Sequence, residues 1–207
     1  MSWLIILRLW EMKKIMFNDK YGLTKAVLEG RKTQTRRVIN DLDKVLFYDF
    51  GIDDNGKQYA SFSYIEVNIT IDVYFPYQVG EVVAIAQSYK EAGVDCSFRF
   101  APAISKEQAK MLAGFNNKMF VKAALMPHHV KITNVRVERL QDISEEDCLA
   151  EGITYDCGVF KYTVDNALTK TFMTAKEAYA SLIDKVGKKG TWESNPWVFV
   201  YEFELVN

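Results

Sequence analysis

Residues 30–37, Gly30-Arg31-Lys32-Thr33-Gln34-Thr35-Arg36-Arg37, put four cations and two threonine hydroxyls into eight positions. Guanidinium forks suit phosphate or carboxylate, and the hydroxyls can meet a base or a carbonyl. In an extended chain Lys32 and Thr35 point to opposite faces; if the segment turns, the two can approach each other. The same composition also suits a solvated basic loop paired with neighbouring acids. A second concentration, residues 143–152, holds the acids Glu145, Glu146, Asp147 and Glu151. The first three sit at a helix start, where the dipole favours negative charge. Glu151 falls at the other end, where the dipole disfavours it. It therefore needs a cationic partner or a place in a site.

Other chemistry is thinner. His128 and His129 are adjacent and precede a strand, so their side chains point to opposite faces and do not easily share one metal. With no other histidine and three scattered cysteines (Cys96, Cys148, Cys157), neither a metal site nor a disulfide framework is expected; reduced thiols in the cytosol are. The chain has no GxGxxG, Walker, GxSxG or HExxH motif, and no cofactor is expected. Near the end, Trp192 and Trp197 flank a turn. They can stack on a base at a cleft, or plug the end of a barrel.

The chain has 207 residues with 26 Lys+Arg against 27 Asp+Glu, a net charge of −1. That excludes coating nucleic acid by bulk charge but leaves a local basic patch open. Hydrophobic residues at 49% and charged residues at 26% are globular proportions, which argues against wholesale disorder. The apolar start, residues 1–10, is interrupted by Arg8 and falls well short of the ~20 residues a membrane span needs. Residues 1–11 therefore read as an extension or a first strand packed on the body, and no membrane association is expected.

The elements that must position these groups follow from periodicity and capping. A helix is expected over 19–29, closed by Gly30. A strand over 45–50 leads into the turn Asp53-Asp54-Asn55-Gly56. Ile65, Val67, Ile69, Ile71 and Val73 alternate with polar residues and predict one long strand. A short apolar strand covers 82–86, and Ser105 with Gln108 predicts a helix ending near Gly114. Val130, Ile132, Val135 and Val137 predict a strand whose phase slips near Asn134, the mark of a bulge. Ser144 with Asp147, and Thr174 with Glu177, cap two further helices. The second of these carries an apolar stripe of Tyr179, Leu182, Ile183 and Val186. The last strand runs over 197–206, with Trp197, Phe199, Tyr201, Phe203 and Leu205 on one face. This irregular order disfavours a doubly wound sheet and fits an α+β fold of one domain, a mixed or antiparallel sheet curled into a small barrel with helices at its rim.

Several motifs together resemble the ASCH domains of the PUA-like superfamily. These are the segment 30–37 after a short helix, Gly80-Glu81-Val82-Val83, residues 135–144, Glu151-Gly152-Ile153 and Asn195-Pro196-Trp197 with the strand that follows. The wording is closest to longer members found in phages and prophages. The resemblance runs through residues 12–207, with 41–78 and 154–173 as insertions. It implies a PUA-like small mixed β-barrel flanked by short helices, with a cleft that binds RNA or a modified nucleotide. Arg31, Arg36 and Arg37 would line that cleft, with Trp192 and Trp197 as stacking candidates. It also implies an alternative, since some compact bacterial members are amidohydrolases that deacylate N4-acylcytidine. By motif, the lysine, threonine and glutamate of those enzymes correspond to Lys32, Thr35 and Glu151. Alanine at each is expected to abolish turnover and still permit folding. Where many phage-type members read GDxLWVRExW, this chain has Ala84, Ala86 and Gln87 in place of the tryptophan, arginine and glutamate.

Overall fold

The computed structural model describes residues 12–40, 42, 44–64, 66–67, 69–94, 110–159, 161–164 and 170–206. The central sheet has the order β1 (Lys14–Ile15), β6 (Val82–Ile85), β7 (His129–Arg139), β11 (Trp197–Val206), β2 (Gln34–Val38). The first pair is parallel and the other three are antiparallel. The phase slip read near Asn134 is a bulge: Glu202 pairs with Asn134 and Phe203 with Ile132, leaving Thr133 as the extra residue. On β11 the odd-numbered face packs as expected, with Phe75 against Phe199 and Tyr77 against Tyr201. Val198 and Val200 on the opposite face are buried too, so the middle of β11 is enclosed on both sides. Leu205, beyond the enclosed stretch, is exposed.

The fold is mixed α+β, as expected, and among the described residues the central sheet is not seen to close into the small barrel. Among the described residues no backbone pairing joins β1 to β2. With only two residues, β1 offers β2 almost no edge to pair with. The residues just after β1 still contact β2 and β11. Arg37 Nη2 donates to Met16 O at 2.7 Å, and the Phe17 and Phe203 rings lie 5.7 Å apart.

The segments 41–78 and 154–173 contribute separate sheets. One is a meander of β3 (Val45–Ile52), β4 (Gln58–Tyr64) and β5 (Ile69–Tyr74); the other joins β8 (Thr154–Asp156), β9 (Lys161–Thr163) and β10 (Thr171–Phe172). The single long strand expected over 65–73 is corrected here. Glu66 and Val67 form a turn, and only Ile69 onward is strand. The period-two pattern ran on across a hairpin, because alternation is blind to a reversal whose flanks keep the same phase.

The α-helices fully within the described residues are α1 (Leu23–Leu28), α2 (Glu145–Ala150), α3 (Ala175–Val186) and α4 (Thr191–Ser194). The helix expected over 19–29 is split, because Gly22 at φ +66° ends a 3-10 turn over Asp19–Tyr21 and opens α1. Both caps form as read. Ser144 Oγ accepts from the Asp147 amide at 3.0 Å and Thr174 Oγ1 from the Glu177 amide at 3.1 Å. On α3 the buried stripe is Ala175, Ala178, Tyr179 and Leu182, while Val186 is exposed. The start of the helix expected from Ser105, through residue 109, and the extension 1–11 lie outside the described residues; Lys110 is helical and residues 111–114 form turns and a bend. Among the described residues no helix is long and apolar enough to cross a membrane.

Gly152 ends α2 at φ +102°, where a Cβ would come 3.4 Å from Leu23 Cδ2 and 3.7 Å from Lys32 Cβ. That backbone conformation is costly for any side chain. Gly152→Ala is therefore expected to destabilise the fold by about 1–3 kcal/mol, measured as a lower urea midpoint.

Candidate active site

Lys32 is carried inward by a hook in the chain. After α1, Gly30 turns at φ +73°, and the amides of Arg31 and Lys32 both donate to Ala26 O, at 2.9 and 3.0 Å. The Thr33 amide then donates to Ala150 O at 2.9 Å, tying the hook to the end of α2. On its other side, the Phe203 amide donates to Thr33 O at 2.9 Å. Thr35 follows in β2, paired with Tyr201 of β11. Of the two geometries open to this segment, the chain takes the turning one.

Four polar side chains meet where hook, strand and helix converge. Lys32, Thr35, Arg36 and Glu151 are 2, 5, 5 and 4% exposed, respectively. Lys32 Nζ forms an ion pair with Glu151 Oε2 and donates to the Glu151 carbonyl at 2.8 Å. Arg36 Nη1 donates to Glu151 Oε1 at 3.2 Å. The same guanidinium reaches Glu138 Oε1 through Nε at 2.8 Å and Asp147 Oδ2 through Nη2 at 2.7 Å. Arg136 extends the network, pairing with Asp147, Glu138 and Glu202. Glu151 thus has the cationic partners that its place at a helix C-terminus required.

Burial sets the protonation chemistry. Removing Lys32 from water disfavours its charged form more than Glu151 favours it, so its pKa lies below the ordinary lysine value. Burial also works against the charge on Arg36, but Glu151 and Glu138 outweigh it and the guanidinium is held more firmly charged than usual. For Asp147, partial burial is overcome by hydrogen bonds from Gln34 and Arg36, and its carboxyl lies below the usual range.

Lys32, Thr35, Arg36 and Glu151 line one small pocket of about 50 Å³, together with Tyr179 from α3. Met16, Ile183 and Val186 also contribute to its wall. The Lys32 ammonium lies 5.8 Å from the centre of the Phe17 ring. Thr35 has no side-chain hydrogen bond among the described residues. Larger hollows of about 490 Å³ beside Lys14 and Tyr77, and about 410 Å³ beside Phe50 and Val135, do not include these side chains.

The remaining candidates are spread out. Arg37 lines the pocket and bonds Met16 O. Arg31 turns outward to the Glu29 carboxylate at 2.7 Å. Neither indole is brought to the pocket. Trp197 donates from Nε1 to Val45 O at 3.1 Å, packs on Phe62 and carries the Arg139 guanidinium 4.2 Å from a ring centre. Trp192 meets the Tyr179 ring edge-on at 6.2 Å. Sequence reasoning missed Tyr179, Glu138 and Asp147 as members of this cluster. Tyr179 was read as one more residue of an apolar stripe, although its phenol is the one polar tip on that stripe. Among the described residues no group of three or more His, Cys, Asp or Glu is placed to hold a metal ion. Comparison of the chain with models of protein families, with curated proteins and with solved structures finds no match.

Proposed function

We propose that this chain is an ASCH-type amidohydrolase that removes a short acyl group from an N-acylated nucleobase such as N4-acetylcytidine. The observation that carries this reading is the direct pairing of Lys32 with Glu151 in a buried pocket that Thr35 also lines. A lysine with a depressed pKa can act as a general base. It takes the proton of Thr35 Oγ1, and that oxygen attacks the amide carbonyl. The tetrahedral adduct collapses as the ammonium of Lys32 protonates the departing amine, leaving an acyl ester on Thr35. Water, deprotonated by the same lysine, then releases the acid. Glu151 orients the lysine through both its carboxylate and its carbonyl. A pocket of about 50 Å³ accepts a few heavy atoms, which suits an acetyl group inserted from a base resting at the rim. Sites that engulf a whole drug-sized ligand start at about 300 Å³.

Retention of RNA or a modified nucleotide in a basic cleft is the second reading. Arg37, at the pocket wall with its Nε unpartnered, is the observation in its favour. Arg36 argues the other way, since three carboxylates already engage it and little of its charge is left for phosphate. The reading takes the chain to be a PUA-like protein of phage or prophage type acting in the cytoplasm, and the mixed α+β fold is compatible with that.

The test is hydrolysis of N4-acetylcytidine followed against pH. Turnover is expected, rising with pH as Lys32 loses its proton and levelling off below the ordinary lysine pKa of about 10.4. A rate that responds to pH only above that value would refute a depressed lysine base. Tight, salt-sensitive binding of RNA without turnover would favour the second reading.

A further inference from the structure

Tyr179 lies in the middle of α3, with its ring held between two neighbours. Trp192 meets it edge-on at 6.2 Å, and the Arg36 guanidinium lies 6.0 Å from its centre. The residue is 1% exposed and lines the same pocket as Lys32, Thr35 and Glu151. Its hydroxyl oxygen is one of the few buried side-chain atoms among the described residues with no hydrogen-bond partner.

An enclosed hydroxyl with nothing to bond is a penalty that a phenylalanine at the same position would avoid. Burial, reinforced by the nearby Glu151 carboxylate, raises the phenol pKa well above its usual value. The group therefore keeps its proton and acts as a neutral donor in search of an acceptor. The Glu151 carboxylate oxygens are already engaged, one by Lys32 and the other by Arg36.

We propose that Tyr179 is a catalytic residue whose Oη–H donates a hydrogen bond to the acyl carbonyl oxygen of the bound amide. The assignment rests on the hydrolase reading above and adds to it the group that receives the developing negative charge. As the bond from Thr35 Oγ1 to the carbonyl carbon forms, the π electrons of the C=O move onto oxygen. The Thr35 proton passes to Lys32, while the Tyr179 proton stays on Oη and its hydrogen bond strengthens. The ring contacts with Trp192 and Arg36 hold the donor in place before the substrate arrives, so little reorganisation is needed at the moment of reaction.

The experiment compares wild type with Tyr179→Phe for kcat and KM on N4-acetylcytidine, alongside Tm. The expected result is a kcat lowered about 10²–10³-fold, a KM changed by less than about threefold, and a Tm that is unchanged or higher. A kcat within about threefold of an active wild type overturns the assignment and leaves the hydrolase reading standing. A lower Tm with activity per folded molecule preserved also overturns it, since the hydroxyl would then be making a structural bond. No turnover by the wild type removes the hydrolase reading, and this assignment with it.

Discussion

Glu151→Ala is expected to abolish turnover and to unfold the protein more easily, by about 3–5 kcal/mol, because it strips two buried cations of a shared carboxylate. Lys32 would keep only the residue-151 carbonyl and sit in a setting that penalises its charge. Arg36 would retain Glu138 and Asp147, so the larger part of the cost falls on the lysine. The sequence alone suggested that alanine at this position leaves the fold intact; the pairing geometry argues otherwise. A double variant, Lys32→Met with Glu151→Gln, separates the two effects. It is expected to recover part of the lost stability, since neither an unpaired ammonium nor an unpaired carboxylate remains, yet to regain no activity. Urea midpoints and turnover measured side by side give the answer. A midpoint for Glu151→Ala within about 0.5 kcal/mol of wild type would refute the buried pair as a structural element.

Thr35→Val is expected to do the opposite: little change in stability with loss of at least about 10³-fold in kcat. Valine nearly matches threonine in shape, and the hydroxyl it replaces has no hydrogen-bond partner among the described residues, so the fold gives up no bond. Thr35→Ser keeps a hydroxyl in the same strand position and is expected to retain measurable turnover. Trapping an acyl ester at residue 35 in the wild type and the serine variant, and not in the valine variant, would identify the nucleophile. Full activity in Thr35→Val would instead mean that Lys32 activates water directly and that Thr35 only shapes the pocket.

What could be read in advance followed the range of the interactions involved. Ser144 and Thr174 cap their helices through contacts three residues away, so local chemistry sufficed. The bulge at Thr133 left its mark as a one-residue slip in the apolar pattern. Even the need of Glu151 for a cation was visible, because a helix end has a sign. Its partners could not be read from that sign, since Lys32 lies 119 residues away and Arg36 lies 115. The resemblance supplied Lys32 where spacing alone left the question open. For Arg36 the sequence showed a cation and suggested a ligand. Tertiary structure supplied the carboxylates instead: Glu138 comes from β7, which like β2 pairs with β11, and Asp147 and Glu151 come from α2 and its C-terminal end. The missed hairpin at Glu66 and Val67 has the same origin, since an alternating pattern records which face is apolar and not where the chain turns back.

Thr33 is fastened on both sides, its amide to Ala150 and its carbonyl to the Phe203 amide. The wall that carries Lys32 and Glu151 is thus riveted to the sheet and cannot swing away without unzipping β2 from its neighbour. The rest of the lining includes the apolar side chains of Ile183 and Val186 from the third helix and of Met16, the residue after the first strand. On the hydrolase reading, an acyl group therefore meets apolar side chains on one part of the lining and an ion pair fastened to the sheet on another.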